Sequence, residues 1–124
     1  MNAGRIQHVL PADLAAQPGG QDSQIVLPDS LHTYVTTNYL LRTADDPPAF
    51  IAVQTTGWRR GPREVLERLF DPSRASAVDP SQYSFRLSIK LETGDDRYSD
   101  IVNGSMWIGS GARMASEGVV CTIV

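Results

Sequence analysis

Cysteine is almost absent: Cys121 is the only one in the chain. A lone thiol excludes an intrachain disulfide and fits a reducing compartment. Histidine is nearly as scarce. His8 and His32 stand apart from each other and from Cys121, with no metal-ligand spacing among them. No metal and no other cofactor is expected. No apolar run approaches the length needed to cross a bilayer. The start, MNAGRIQHVLPADLAAQ, lacks the apolar core of a signal peptide, so a cytoplasmic location is expected. Basic residues are not in excess: 11 Lys and Arg face 14 Asp and Glu, for a net charge of −3. Only Arg59, Arg60 and Arg63 cluster, whereas nucleic-acid binding needs a concentrated positive field. Neither nucleic acid nor a membrane is an expected partner. Serine-elbow and Walker patterns are missing too. Gly109-Ser110-Gly111 echoes a phosphate loop, but no helix follows it.

What is present is a strand pattern. Phe85, Leu87, Ile89 and Leu91 alternate with Arg86, Ser88, Lys90 and Glu92. A period of two puts the apolar set on one face and the polar set on the other. Thr93-Gly94-Asp95-Asp96 breaks the pattern with turn residues. Ser105 to Ile108 reads as another strand, closed by Gly109-Ser110-Gly111. Earlier in the chain, residues 3–10, 23–27, 31–43 and 49–57 read as strands. Asp45-Asp46-Pro47-Pro48 separates the last two as a hairpin loop. Asp13 with Leu14-Ala15-Ala16 could make a short helical turn. Residues 118–124 form a last, β-branched strand. One helix is convincing. Gly61-Pro62 opens it, Val65, Leu66, Leu69 and Phe70 give it an apolar stripe, and Asp71-Pro72 ends it. Glu64 and Arg68 are spaced to pair on its wet face.

A chain of 124 residues with 41% hydrophobic and 20% charged residues is one soluble-type domain, residues 1–124. About seven strands and one short α-helix, without βα alternation, predict an all-β, mainly antiparallel barrel or sandwich.

The order of motifs from Tyr39 onward resembles a known family. The motifs are Tyr39-Leu40-Leu41-Arg42-Thr43 with Asp45-Asp46; Gly61-Pro62 with Glu64-Val65 and Arg68-Leu69; Val78-Asp79-Pro80-Ser81 with Tyr83-Ser84-Phe85-Arg86; Glu92-Thr93-Gly94 with Arg97-Tyr98; Asn103; and Gly109-Ser110-Gly111. They are similar to the small proteins grouped as domain of unknown function 3237, over roughly residues 31–124. Gly4-Arg5-Ile6 and Val9-Leu10-Pro11 extend the likeness toward the front. The resemblance implies a closed, lipocalin-like antiparallel β-barrel with one helix across an opening, and no established activity. The chain departs from the family in three places. One or two further strands usually precede the region matching Gly4. An Ala-Asp-Trp is missing from Leu14 to Gln24. Gly104 stands where an Arg often follows the family's Asn. An unfilled edge invites an added strand, so a homodimer is expected.

Barrel residues alternate in and out, so one face of the Phe85–Glu92 strand lines the lumen. If the polar face does, Arg86 and Glu92 form a charged pair in a pocket. If it does not, those residues are a solvated outer face over an apolar core. Tyr39, Trp58, Tyr83 and Trp107, with Asn103, could line a small-molecule site. Trp58 with Arg59 comes first, where a strand gives way to the loop before the helix. The expected function is a cofactor-free isomerase or cyclase acting on a small apolar or aromatic molecule. Arg86 would stabilise charge, and Glu92 or Tyr98 would move the proton. The alternative is a barrel that binds such a ligand without turning it over.

Overall fold

The computed structural model describes residues 6–7, 14–114 and 118–123, with side-chain surroundings for 14–112. The described residues form eight strands: β1 (Ile6–Gln7), β2 (Leu14–Ala16), β3 (Gln21–Val26), β4 (Thr33–Thr43), β5 (Phe50–Arg60), β6 (Ser84–Glu92), β7 (Trp107–Met114) and β8 (Gly118–Ile123). Two helices join them, α1 (Arg63–Phe70) and α2 (Ser99–Asn103). The strands make one sheet in the order β1-β8-β7-β6-β5-β4-β2, with β3 beside β2 on the outer edge of β4. Every pairing is antiparallel except β1 with β8. The two ends of this path, β1 and β2, approach within 8 Å, so the sheet curls toward a barrel. No helix among the described residues is long and apolar enough to cross a membrane.

The alternation on β6 sets the faces. Phe85, Leu87, Ile89 and Leu91 are buried, and Arg86, Ser88, Lys90 and Glu92 are exposed. The same parity runs through β4 and β5, where Val35, Leu41, Ile51 and Val53 join the core. Helix α1 delivers Val65, Leu66 and Leu69 to that core. Each such burial contributes roughly 1.5–3 kcal/mol. Phe70 ends the helix partly exposed, with the Arg59 guanidinium 5.0 Å from its ring centroid. On the wet face the pair that forms is Arg63 with Glu67, at 3.1 Å, rather than Glu64 with Arg68.

Three segments differ from the sequence reading, the first being β7, which starts at Trp107 rather than Ser105 and runs on through Gly109-Ser110-Gly111 instead of ending there. Leu14–Ala16 is a strand on β4, not a helical turn, because edge pairing with Leu41–Thr43 satisfies its backbone. Asp13 and His8 lie outside the described residues, as does most of the expected strand over 3–10. A second helix, α2, occupies 99–103. Asn103 is its last residue and Gly104 its cap.

Side-chain staples hold the connections at that end of the sheet. Asn103 accepts from the Thr93 N–H and donates to the Thr93 carbonyl, both at 2.8 Å, as a neighbouring strand would. Thr93 donates its hydroxyl to the Phe50 carbonyl at 2.7 Å. The Trp107 indole N–H donates to the Val102 carbonyl at 3.1 Å. Tyr98 donates its hydroxyl to Asp45 in the β4–β5 loop. Arg97 bridges to Asp95 at 2.8 Å and approaches Asp45 at 4.0 Å.

These contacts favour ionised carboxylates. The Arg97 side chain, then its backbone N–H, pulls Asp95 from an ordinary 3.8 to about 2. The Tyr98 hydroxyl, then Thr43, lowers Asp45. A depressed native pKa adds stability that is complete above the unfolded value and fades as pH falls through the native one. The loss from Asp95 therefore spans about pH 4 down to about 2. Thermal melting of Asp95→Asn across that range is expected to show a flatter acid limb than the wild type. An unchanged limb would mean that the Arg97 contact contributes nothing.

Gly57 tests the curl of the sheet. A Cβ there would stand 2.0 Å from the Arg86 carbonyl oxygen, in backbone that has nowhere to move. A Cβ added at Gly94 would meet nothing within 4 Å. Gly57→Ala is expected to cost more than about 3 kcal/mol in urea unfolding, and Gly94→Ala under about 0.5 kcal/mol. Equal midpoints for the two variants would refute this account.

Candidate functional site

Strand parity sorts the expected site residues onto two faces. Trp58 and Arg59 are neighbours on β5, so they point to opposite sides. Arg59 is the inward one, only 1% exposed, level with Thr33 on β4 and Phe85 on β6. Trp58 is 39% exposed on the outer face, paired with Tyr34 on one side and Arg86 on the other. The Tyr34 and Trp58 rings lie 5.1 Å apart, tilted by 59°. Such aromatic pairs contribute about 0.5–1.5 kcal/mol beyond their area.

The expected catalytic trio does not converge. Arg86 and Glu92 share the outer face of β6, six residues apart. At the usual strand rise that is about 20 Å, too far to act on one small molecule. Glu92 lies 4.0 Å from Lys90, with both side chains exposed, where an ion pair adds little. Tyr98 is buried by the β4–β5 loop, where its bond to Asp45 raises its pKa. The structure thus puts the three in separate surroundings, and the polar face of β6 faces outward.

The expected binding residues divide likewise. Asn103 and Trp107 are engaged in the staples around α2. Tyr39 lines two shallow depressions. One lies against the Pro18–Gln21 turn with Asn38 and Leu40. The other, about 230 Å³, is bordered by Gln54, Lys90 and Glu92. Tyr83 is buried and opens onto a third.

That third groove is the site the geometry builds. It is open, about 520 Å³, and is lined by His32, Arg60, Gly61, Ser81, Gln82, Tyr83, Ser84 and Arg86. Arg60 pairs with Ser84 across the β5–β6 ladder, and Arg86 is the next same-face residue on β6. Diagonal neighbours of this kind sit about 7–8 Å apart. His32 precedes Thr33, the partner of Arg59, so it enters at the level of Arg60. Among the described residues, no carboxylate lines the groove. Among the described residues, neither Arg60 nor Arg86 makes an ion pair. Two guanidinium groups therefore face water side by side, beside the Tyr34–Trp58 aromatic pair. Among the described residues, no group of three or more His, Cys, Asp or Glu gathers that could hold a metal.

Arg86, Trp58 and Tyr83 of this region come from the sequence expectation; His32, Arg60 and Tyr34 do not. Their signal was available as same-parity spacing, with His32 just ahead of β4, Tyr34 on it, and Trp58 and Arg60 on β5. Knowing that these rows abut requires the β4–β5 register.

Relatives agree with the fold. The profile of a family described as "Protein of unknown function (DUF3237)" matches residues 3–124. A UPF0311 protein of Bradyrhizobium diazoefficiens is 33% identical over 103 residues, which are 83% of this chain and 63% of that protein. One from Rhodopseudomonas palustris is 34% identical over 103 residues, with the same coverage, 83% and 63%. The chain thus spans about 63% of the length of these curated relatives. A crystal structure of a conserved protein of unknown function from Rhodopseudomonas palustris superposes with a TM-score of 0.75 at 32% identity, covering 87% of this chain and 67% of that one. A structure from Acinetobacter baumannii, described as a beta-barrel-like protein, gives 0.62 at 32% identity, covering 87% and 64%. The barrel-like neighbour matches the curled antiparallel sheet, and the profile spans nearly the whole sequence: the chain belongs to the DUF3237 family.

Proposed function

We propose that this domain binds a small molecule with an anionic head, carboxylate or phosphate, on an aromatic body. The observation that carries the reading is the pair Arg60 and Arg86, adjacent, exposed and unneutralised, in a groove without a carboxylate. Two like charges this close repel, and an anion between them relieves that repulsion. Arginine also offers a planar fork that matches carboxylate and phosphate oxygens. Ser81, Gln82 and Ser84 add neutral hydrogen-bonding groups. Trp58 and Tyr34 give an aromatic body a surface to stack on. The ligand thus sits on the outer face of the sheet rather than in a barrel lumen. We take the protein to work in the cytoplasm, which its single cysteine fits.

Catalysis of an isomerisation or cyclisation is the second reading, favoured by His32 in the same groove. An imidazole beside two guanidinium groups can take a proton while they stabilise the resulting anion. This role replaces the one expected for Glu92 and Tyr98. Turnover of a bound ligand that is lost in His32→Gln, with affinity kept, would favour it over binding alone.

The direct test is fluorescence titration with benzoate and phenyl phosphate, since Trp58 flanks the groove while Trp107 is buried. At least one probe is expected to change the Trp58 emission. Arg60→Ala and Arg86→Ala should each weaken that binding about tenfold or more, as loss of a charged hydrogen bond does. Both residues are exposed, so the variants should melt as the wild type does. Wild-type protein indifferent to both probes, or variants that bind as tightly as it does, would end the proposal.

A further inference from the structure

We propose that β3 is the docking edge for a second copy of this chain, joined strand to strand about a two-fold axis beside Gln24. Among the described residues, β3 pairs along its length with β4 and with nothing on its other side. All six of its residues, Gln21 to Val26, are exposed. Even Asp22, Gln24 and Val26 are exposed, although they lie opposite Thr37, Val35 and Thr33 on the core-side face of β4. The neighbouring part of this edge, β2, is approached by β1, so among the described residues the uncovered stretch is β3 itself.

Edge strands that remain single are usually blunted by proline, lysine or a bulge. Gln21–Val26 contains neither proline nor lysine and pairs with Thr33–Asn38 without a bulge. Its one charge is Asp22. The strand ends in Ile25 and Val26, followed by Leu27, which are 64%, 38% and 42% exposed. A free row of peptide groups beside exposed apolar side chains is a template for an added strand.

The sequence selects a register. A two-fold axis perpendicular to the sheet keeps each face continuous, so opposite residues must share parity. Any residue-centred axis satisfies this, and the two that keep most of the strand paired are centred on Ser23 and Gln24. Centring on Ser23 offsets the two Asp22 carboxylates by two residues, about 7 Å along the strands. Centring on Gln24 doubles the offset to about 14 Å and faces Asp22 with Val26 of the other copy. It also sets Ser23 against Ile25 on the outer face and brings the two Gln24 amides together. No like charges then stand opposite one another, and one chain supplies both halves of the contact, as a two-fold interface requires. Pairing of one short strand buries less than a standard interface, so a micromolar dimer is expected.

Sedimentation velocity from low to high micromolar protein tests this. The wild type should shift from monomer to dimer mass with concentration. Ser23→Lys with Ile25→Lys sets lysines opposite each other in the Gln24-centred register and should abolish the dimer. Ser23→Glu with Ile25→Lys sets opposite charges together and should restore it. Both positions are exposed, and matching circular dichroism and melting would show that the variants fold. A wild type that stays monomeric, or a doubly lysine-substituted variant that dimerises unchanged, overturns the proposal. Failure of the charge-paired variant to recover the dimer overturns the register. Ile25 pairs with Tyr34 beside the groove, so benzoate and phenyl phosphate binding is measured on wild-type protein at low micromolar concentration, where it reads the groove whether or not the dimer forms.

Discussion

The contact between α1 and the apolar face of β4, β5 and β6 is what the rest of the molecule depends on. Val65, Leu66 and Leu69 reach that face, and Phe85, Leu87, Ile89, Leu91, Val35, Ile51 and Val53 answer them. Once one face is buried, the period of two assigns every other side chain. A slip of one residue on β5 would bring Trp58 inward and push Arg59 out, and it would dismantle the core at the same moment. Register is therefore fixed by the hydrophobic side of the sheet. The arrangement of Tyr34, Trp58, Arg60 and Arg86 outside is its consequence.

That dependence explains how much was legible beforehand. The alternation from Phe85 to Glu92 and the stripe from Val65 to Phe70 are local signals, and both elements formed where their spacing predicts. Local pattern also separates Trp58 from Arg59, since adjacent strand residues cannot share a face. Once the stretch is a strand, the six steps from Arg86 to Glu92 likewise hold them about 20 Å apart. Long-range facts were different. Whether the polar face of β6 turned inward depended on what covered the apolar one, which is buried in one cluster with residues of α1, α2, β4 and β5. The groove needs Arg60 level with Ser84, a register set across a connection from Gly61 to Tyr83 that holds a helix and two 3₁₀ turns. Helix α2 was hidden because Asp95 and Asp96 read as a turn. Asp95 does make that turn, through its carbonyl and carboxylate, and so starts the helix that follows.

Polar residues of the resemblance divide by what holds them. Thr93 and Asn103 are occupied by each other, completing backbone hydrogen bonds at the end of β6. Tyr98 is occupied by Asp45. Their chemistry is spent on joining the β4–β5 loop and α2 to the sheet, which explains their spacing without any substrate. A buried polar group with its partners in place is a structural device first. Candidates for function are better sought among charged groups the fold leaves unneutralised.

By that standard Arg59 and Arg60 make an instructive pair. They are adjacent in sequence, yet the core takes one and solvent the other. Arg59 lies under the ring of Phe70, buried among residues that shape the α1 end of the sheet. The aromatic face offsets part of its cost of desolvation there, and its position serves the seal. Arg60 keeps its hydration and meets Arg86 across the outer ladder, where each raises the local positive potential of the other. A chain with net charge −3 concentrates cations at that spot without a compensating carboxylate. The same parity that commits Arg59 to the structure leaves Arg60 available for an anion.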